Sequence, residues 1–134
     1  MKANKQTKKT SEFAIMIIDM QESFLNKKKE TIIPNHVKVI NFYKKQNVPL
    51  IIIESAGYGD ISYDLRNAIA TFPKKLVSTF TKYANDSFSN QRLNTYLEVN
   101  SIKNLLLMGI NGGICVYETA VSARSYNYNI LTSR

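Results

Sequence analysis

The chain of 134 residues contains a single cysteine, Cys115, a single histidine, His36, and only three prolines. One cysteine cannot close a disulfide within the chain, so the fold must be held by its core. A reducing compartment, the cytoplasm, is the simplest home for such a protein. At this length one domain can bury that core without metal or cross-links. No apolar run reaches the roughly 18 residues that a membrane helix needs, so neither a span nor a membrane partner is expected. Acidic residues are also scarce, 10 against 18 basic ones, leaving a net charge of +8. Much of the excess falls in two places, Lys2, Lys5, Lys8 and Lys9 in the opening MKANKQTKKTS and the Lys27–Lys29 cluster. Basic runs of that kind are usually solvated. Lys/Arg and stacking aromatics nowhere interleave at strand or helix spacing, so no specific nucleic-acid partner is expected. The opening stretch lacks the apolar centre of a secretory signal. Residues 1–11 are expected as a basic disordered tail ahead of one domain, 12–134.

What is present is an alternation of two periodicities. FAIMIID (13–19), VPLIIIES (48–55) and IKNLLLMGI (102–110) are short, nearly continuous apolar runs, the pattern of strands buried on both faces. KLVSTFTK (75–82) is a weaker strand, and NYNILTSR closes the chain with another. Between them lie helix-like stretches. PNHVKVINFYKKQN is expected to open on Pro34 and stop near Asn47. ISYDLRNAIA (61–70) is ended by Pro73, and SNQRLNTYLEVNS (89–101) spaces Leu93, Tyr96 and Leu97 on one face. CVYETAVSARSY (115–126) places Val116, Thr119, Ala120 and Ala123 together. Strands alternating with helices imply βαβ units and a parallel sheet covered on both sides, here an α/β fold of about five strands.

In open α/β sheets, ligand sites lie beyond the carboxyl ends of the strands, near the point where strand order reverses. The first strand ends in Asp19, the third in Lys82, and the fourth leads through Gly109–Ile110 to the turn carrying Cys115. Alone, a cysteine reads as a small core residue, Asp19 as a strand-end cap and Lys82 as a surface lysine. As a set on one sheet edge they read as chemistry. A helix start and a nearby lysine are expected to lower the thiol's pKa. A carboxylate can take the thiol proton and later activate water. The glycines before Cys115 allow a tight turn that aims N–H groups at an oxyanion.

The residues around these three resemble the isochorismatase-like cysteine hydrolases, a family that includes nicotinamidases and other small-molecule amidases. AIMIIDMQESF (14–24) carries an Asp-x-Gln-x-x-Phe signature as Asp19, Gln21 and Phe24. KYANDSF (82–88) sets Lys82 six residues before Phe88, and GINGGICVYETA sets Cys115 six residues after Gly109. The resemblance implies a three-layer, Rossmann-like α/β/α fold and an Asp19–Lys82–Cys115 triad. Cys115 would attack an amide or related carbonyl of a small molecule, Asp19 would carry the proton, and a thioacyl-enzyme would form. It further implies a cis peptide at Ile110–Asn111, with the N–H groups of Asn111 and Cys115 as oxyanion hole. Gln21, Phe24, Glu54, Tyr83, Phe88 and Tyr117 are the expected pocket residues. Phe24 and Phe88 are expected to wall the pocket, with packing the safer description, and Glu54 reads equally as a solvated cap.

Three departures stand out. The family often has Thr-Asp where this chain has Gly112–Gly113, which bears on substrate choice. Nicotinamidase-like members carry an Asp-x-His…His metal site after the second strand, whereas ESAGYGDISYD (54–64) has no histidine and His36 is expected at the surface of the first helix. No metal and no organic cofactor are therefore expected. The sequence also stops where the family continues through another strand and helix, which would leave the last strand as a sheet edge. With the resemblance, that edge favours a homo-oligomer. The leading expectation is a cysteine-dependent amidohydrolase acting on a non-peptide C–N bond. The alternatives are a weakly active or inactive family member serving as a subunit, and a basic nucleic-acid binder motivated by charge alone.

Overall fold

β1 (Phe13–Ile18) is apolar along its whole length because it lies at the centre of a sheet with protein on both faces. The computed structural model describes residues 12–25, 29–110 and 114–132. After β1 come α1 (Lys29–Tyr43), β2 (Leu50–Ser55), α2 (Tyr63–Ala70), β3 (Val77–Lys82), α3 (Gln91–Val99), β4 (Asn104–Gly109), α4 (Cys115–Ser125) and β5 (Asn129–Thr132). The five strands form one sheet in the order β3-β2-β1-β4-β5, and every neighbouring pair is parallel. Ile17 faces Ile52 on one side and Met108 on the other, which sets β2 and β4 level with β1.

The period-2 geometry of a strand divides the core in two. Ala14, Met16 and Ile18 of β1 join Ile51, Ile53, Leu105 and Leu107 in a layer packed against Leu93 and Leu97 of α3 and Val116, Ala120 and Ala123 of α4. Ile15 and Ile17 point the other way, with Leu50 and Ile52, against Ile33 and Ile40 of α1 and Leu65 and Ala68 of α2. Each buried isoleucine contributes about 1.5–3 kcal/mol relative to exposure, so a one-residue register slip of β1 would forfeit several such terms. The helical faces expected on α3 and α4 are the ones buried.

Two expectations for α1 change. The helix begins at Lys29, so Pro34 lies inside it rather than at its opening turn. The missing proline N–H deprives the Glu30 carbonyl of its donor, which is tolerated because both residues face solvent. His36 is not a surface residue: it is 4% exposed, with Nδ1 3.1 Å from the Ile32 carbonyl and Nε2 unpartnered. Burial holds its pKa below the ordinary value, because an imidazolium there would lack solvation. No described helix is long and apolar enough to cross a membrane. The basic tail and Lys27–Lys28 lie outside the described residues.

Candidate active site

The reversal of strand order falls between β1 and β4, and the residues that follow these two strands flank it. Asp19 leaves β1 in the left-handed backbone region, φ 60°, with its N–H donating to the Ile53 carbonyl at 3.0 Å. Aspartate is among the few residues that accept this conformation. The turn swings its carboxylate across the end of β2 toward β3.

From the far side comes Lys82. β3 is an edge strand, yet the lysine at its end is 1% exposed, because Nζ reaches back over β2 to lie 3.1 Å from Asp19 Oδ2. Nζ also donates to the Asn85 carbonyl at 2.8 Å. The other carboxylate oxygen, Oδ1, accepts from Ser55 Oγ at 2.8 Å. A buried carboxylate and a buried ammonium are each costly alone, and these hydrogen bonds supply what water would.

Cys115 is the first residue of α4 and is 7% exposed, with Sγ 3.7 Å from Asn85 Oδ1. Asn85 joins the sulfur to the pair, since its carbonyl accepts from Lys82 Nζ and its Oδ1 is the partner of Sγ. α4 is held in place by the segment after β3. Thr119 Oγ1 accepts from the Ser87 N–H at 2.9 Å and donates to Ser87 Oγ at 2.9 Å, while Ser122 donates to Asp86. Gly109 makes the approach of β4, β1 and α4 possible, since a Cβ there would lie 2.4 Å from the Ile18 carbonyl oxygen and 3.1 Å from Val116 Cγ2.

The electrostatics overturn one expectation. Burial, followed by the hydrogen bond and negative charge of Asp19, pushes the Cys115 thiol up, and Lys82 only partly opposes this. A helix start and a lysine were expected to lower it. Because Lys82 is already paired with Asp19, the sulfur experiences a compensated pair rather than a free cation. In this arrangement the thiol donates to Asn85 Oδ1, and the pull of Lys82 on it is outweighed.

The expected pocket residues separate. Gln21 is fully buried and its amide is spent on backbone: Nε2 donates to the Ser55 and Gly59 carbonyls at 3.0 and 2.7 Å, and Oε1 accepts from the Ser55 N–H at 2.7 Å. It braces the end of β2. Phe24 packs on Tyr58 with ring centroids 4.8 Å apart and tilted by 34°, and Glu54 Oε2 accepts from the Ile61 N–H at 3.2 Å. Phe88 packs in the core against Tyr126 and Tyr128, whereas Tyr83 and Tyr117 are exposed. Asn111, the Ile110–Asn111 peptide and Gly112–Gly113 lie outside the described residues. Ser55 and Asn85, which touch Asp19, Lys82 and Cys115 directly, were missed. Ser55 follows Glu54 at a strand end, so the same strand-end rule could have found it. Among the described residues, no three His, Cys, Asp or Glu side chains converge to hold a metal ion. Glu54, Asp60 and Asp64 do not reproduce the histidine-bearing pattern, so the donor set does not fit that metal site.

A parallel sheet covered on both faces, with ionisable side chains gathered beside its switch point, defines the open-sheet α/β class whose ligand sites occupy this edge. Within that class the chain belongs to the isochorismatase family of hydrolases, since the Isochorismatase domain model matches residues 13–133. No curated protein sequence matches it. Among solved structures, the nicotinamidase of Staphylococcus aureus is similar with a TM-score of 0.80 and 22% identity, over 90% of this chain and 78% of that one. The N-carbamoylsarcosine amidase of Thermoplasma acidophilum has a TM-score of 0.77 and 19% identity, over 90% and 80%. An isochorismatase-like hydrolase of Alkaliphilus metalliredigens has a TM-score of 0.78 and 23% identity, over 91% and 79%.

Proposed function

We propose that this protein is a cysteine amidohydrolase that cleaves a non-peptide C–N bond of a small molecule. The reading is carried by one observation, the buried Asp19–Lys82 pair at 3.1 Å, joined to the Cys115 thiol through Asn85. As Cys115 Sγ bonds to the substrate carbonyl carbon, its proton passes to the Asp19 carboxylate and the carbonyl π electrons move onto oxygen. The oxyanion hole that the family resemblance implies, the N–H groups of Asn111 and Cys115, would receive that oxyanion. Collapse breaks the C–N bond, and Asp19 gives its proton to the departing nitrogen. Water then attacks the thioacyl carbon with Asp19 accepting its proton. The C–S bond breaks, and Asp19 returns the proton to sulfur as the acid leaves. Lys82 holds the carboxylate in line throughout.

The raised thiol suits this scheme, because the nucleophile is generated at the moment of attack rather than stored as thiolate. The amidase names carried by two structural relatives support an amide substrate, and the absence of the histidine pattern argues against nicotinamide processed in the metal-dependent manner. The test is a screen of small primary amides and N-carbamoyl compounds for released ammonia, with intact-mass detection of an acyl adduct. Release that is lost in Cys115→Ala, with the adduct confined to Cys115, is the expected result. Ammonia release unchanged by Cys115→Ala would overturn the proposal.

A further inference from the structure

Ser55 is hydrogen-bonded to both Asp19 and Gln21 and stands beside Lys82 in the sheet. Its hydroxyl donates to Asp19 Oδ1 at 2.8 Å, and its N–H and carbonyl are both taken by the Gln21 amide. In the β2–β3 register it stands opposite Lys82, and the next N–H, of Ala56, donates to the Lys82 carbonyl at 2.9 Å. The backbone of Ser55 therefore cannot drift without dragging the ends of β2 and β3 with it. A hydroxyl mounted on so rigid a base is a fixed donor rather than an adaptable one.

Asp19 needs such a donor. Its backbone is in the left-handed region, and Lys82 engages only Oδ2. A carboxylate held at one oxygen can still rotate about the Cβ–Cγ bond, and its plane is then free to change. With Lys82 on Oδ2 and Ser55 on Oδ1, the plane is set from both sides. We infer that Ser55 is a positioning residue whose hydroxyl locks the Asp19 carboxylate in the orientation that faces Cys115. The inference rests on the proposed role of Asp19 as the proton acceptor for the thiol, and it adds a residue that role had not included.

The test uses the single cysteine as its own probe and needs no substrate. The rate of Cys115 alkylation by iodoacetamide is followed against pH in the full-length protein and its variants. Among the described residues, the ionisable groups that act on the thiol are Asp19 from the end of β1 and Lys82 from the end of β3. Asp19 raises the thiol, so Asp19→Asn is expected to lower the alkylation midpoint. Ser55→Ala should lower it in the same direction by about half a unit to one unit, as the carboxylate turns away. Ser55→Thr keeps the hydroxyl and should stay near the wild type. Ser55→Val has the shape of threonine without the donor, should follow alanine, and serves if the alanine variant does not fold. Midpoints of Ser55→Ala and Ser55→Val coinciding with wild type, while Asp19→Asn moves, would overturn the inference alone. So would equal shifts in the Thr and Val variants, which would make the effect one of packing. An unmoved Asp19→Asn midpoint would overturn the reading of the site itself, and this inference with it.

Discussion

Lys82→Met removes the ammonium and keeps most of the apolar stem, leaving the Asp19 carboxyl without its ion-pair partner in a site where its side chain is 3% exposed. At 3.1 Å, the attraction lost is about 5 kcal/mol for an effective dielectric of ~20. Ser55 still donates to the other oxygen, and water partly replaces Nζ, so the net cost is expected at about 3–5 kcal/mol, as for other broken buried pairs. Against a total stability of roughly 5–15 kcal/mol that is a large fraction. Urea denaturation of wild type, Lys82→Met, Asp19→Asn and the double variant measures it as a cycle. The double variant should be more stable than Lys82→Met alone, because it removes the unpaired charge as well as its partner. Cys115 supplies a second readout. Lys82 pulls the thiol down, so its removal should raise the alkylation midpoint, opposite in sign to Asp19→Asn. A loss below about 1 kcal/mol, the level of a solvated pair, would refute the reasoning. So would a double variant less stable than Lys82→Met.

Two further outcomes follow from packing and burial. Gly109→Ala must part β4 from β1 or displace α4, because its Cβ would meet backbone at 2.4 Å. It should cost about 1–3 kcal/mol and slow Cys115 alkylation, whereas an unchanged melting temperature and thiol rate would show that the contact relaxes freely. His36 is held neutral by burial, so the folded state binds fewer protons than the unfolded chain as pH falls below the ordinary histidine value of 6.5. Its contribution to stability is therefore present above that value and lost as pH falls through the lowered one. Urea midpoints at about pH 7.5 and about pH 5 should differ less in His36→Gln than in wild type, and an equal difference would contradict the linkage.

The order and type of the nine main elements were legible in the sequence because they depend on local periodicity. β1 shows no polar position because both of its faces are covered. α4 spaces Val116, Thr119, Ala120 and Ala123 at helical intervals because one side rests on the sheet. Asp19, Lys82 and Cys115 could be placed on one edge before any coordinates, since in a parallel sheet every carboxyl end lies on the same side. The start of α1 was misplaced because Pro34 is a strong local signal that flanking turns of helix and solvent-facing carbonyls can override.

Strand order is set by long-range pairing, and it is what makes Lys82 cross the end of β2 from an edge strand to reach Asp19. Side-chain partners depend on the same pairing. Gln21 became a brace for β2 and Ser55 a donor to Asp19 because residues more than 30 positions apart were brought within hydrogen-bond distance. The thiol's direction of shift was likewise invisible beforehand. A pKa sums burial and every nearby charge over their distances, and a lysine read alone suggests the opposite sign to a lysine already paired with a carboxylate. What the sequence by itself determined was which residue types stand at the ends of which strands. The tertiary structure decided which of them touch, and so which charges the sulfur experiences.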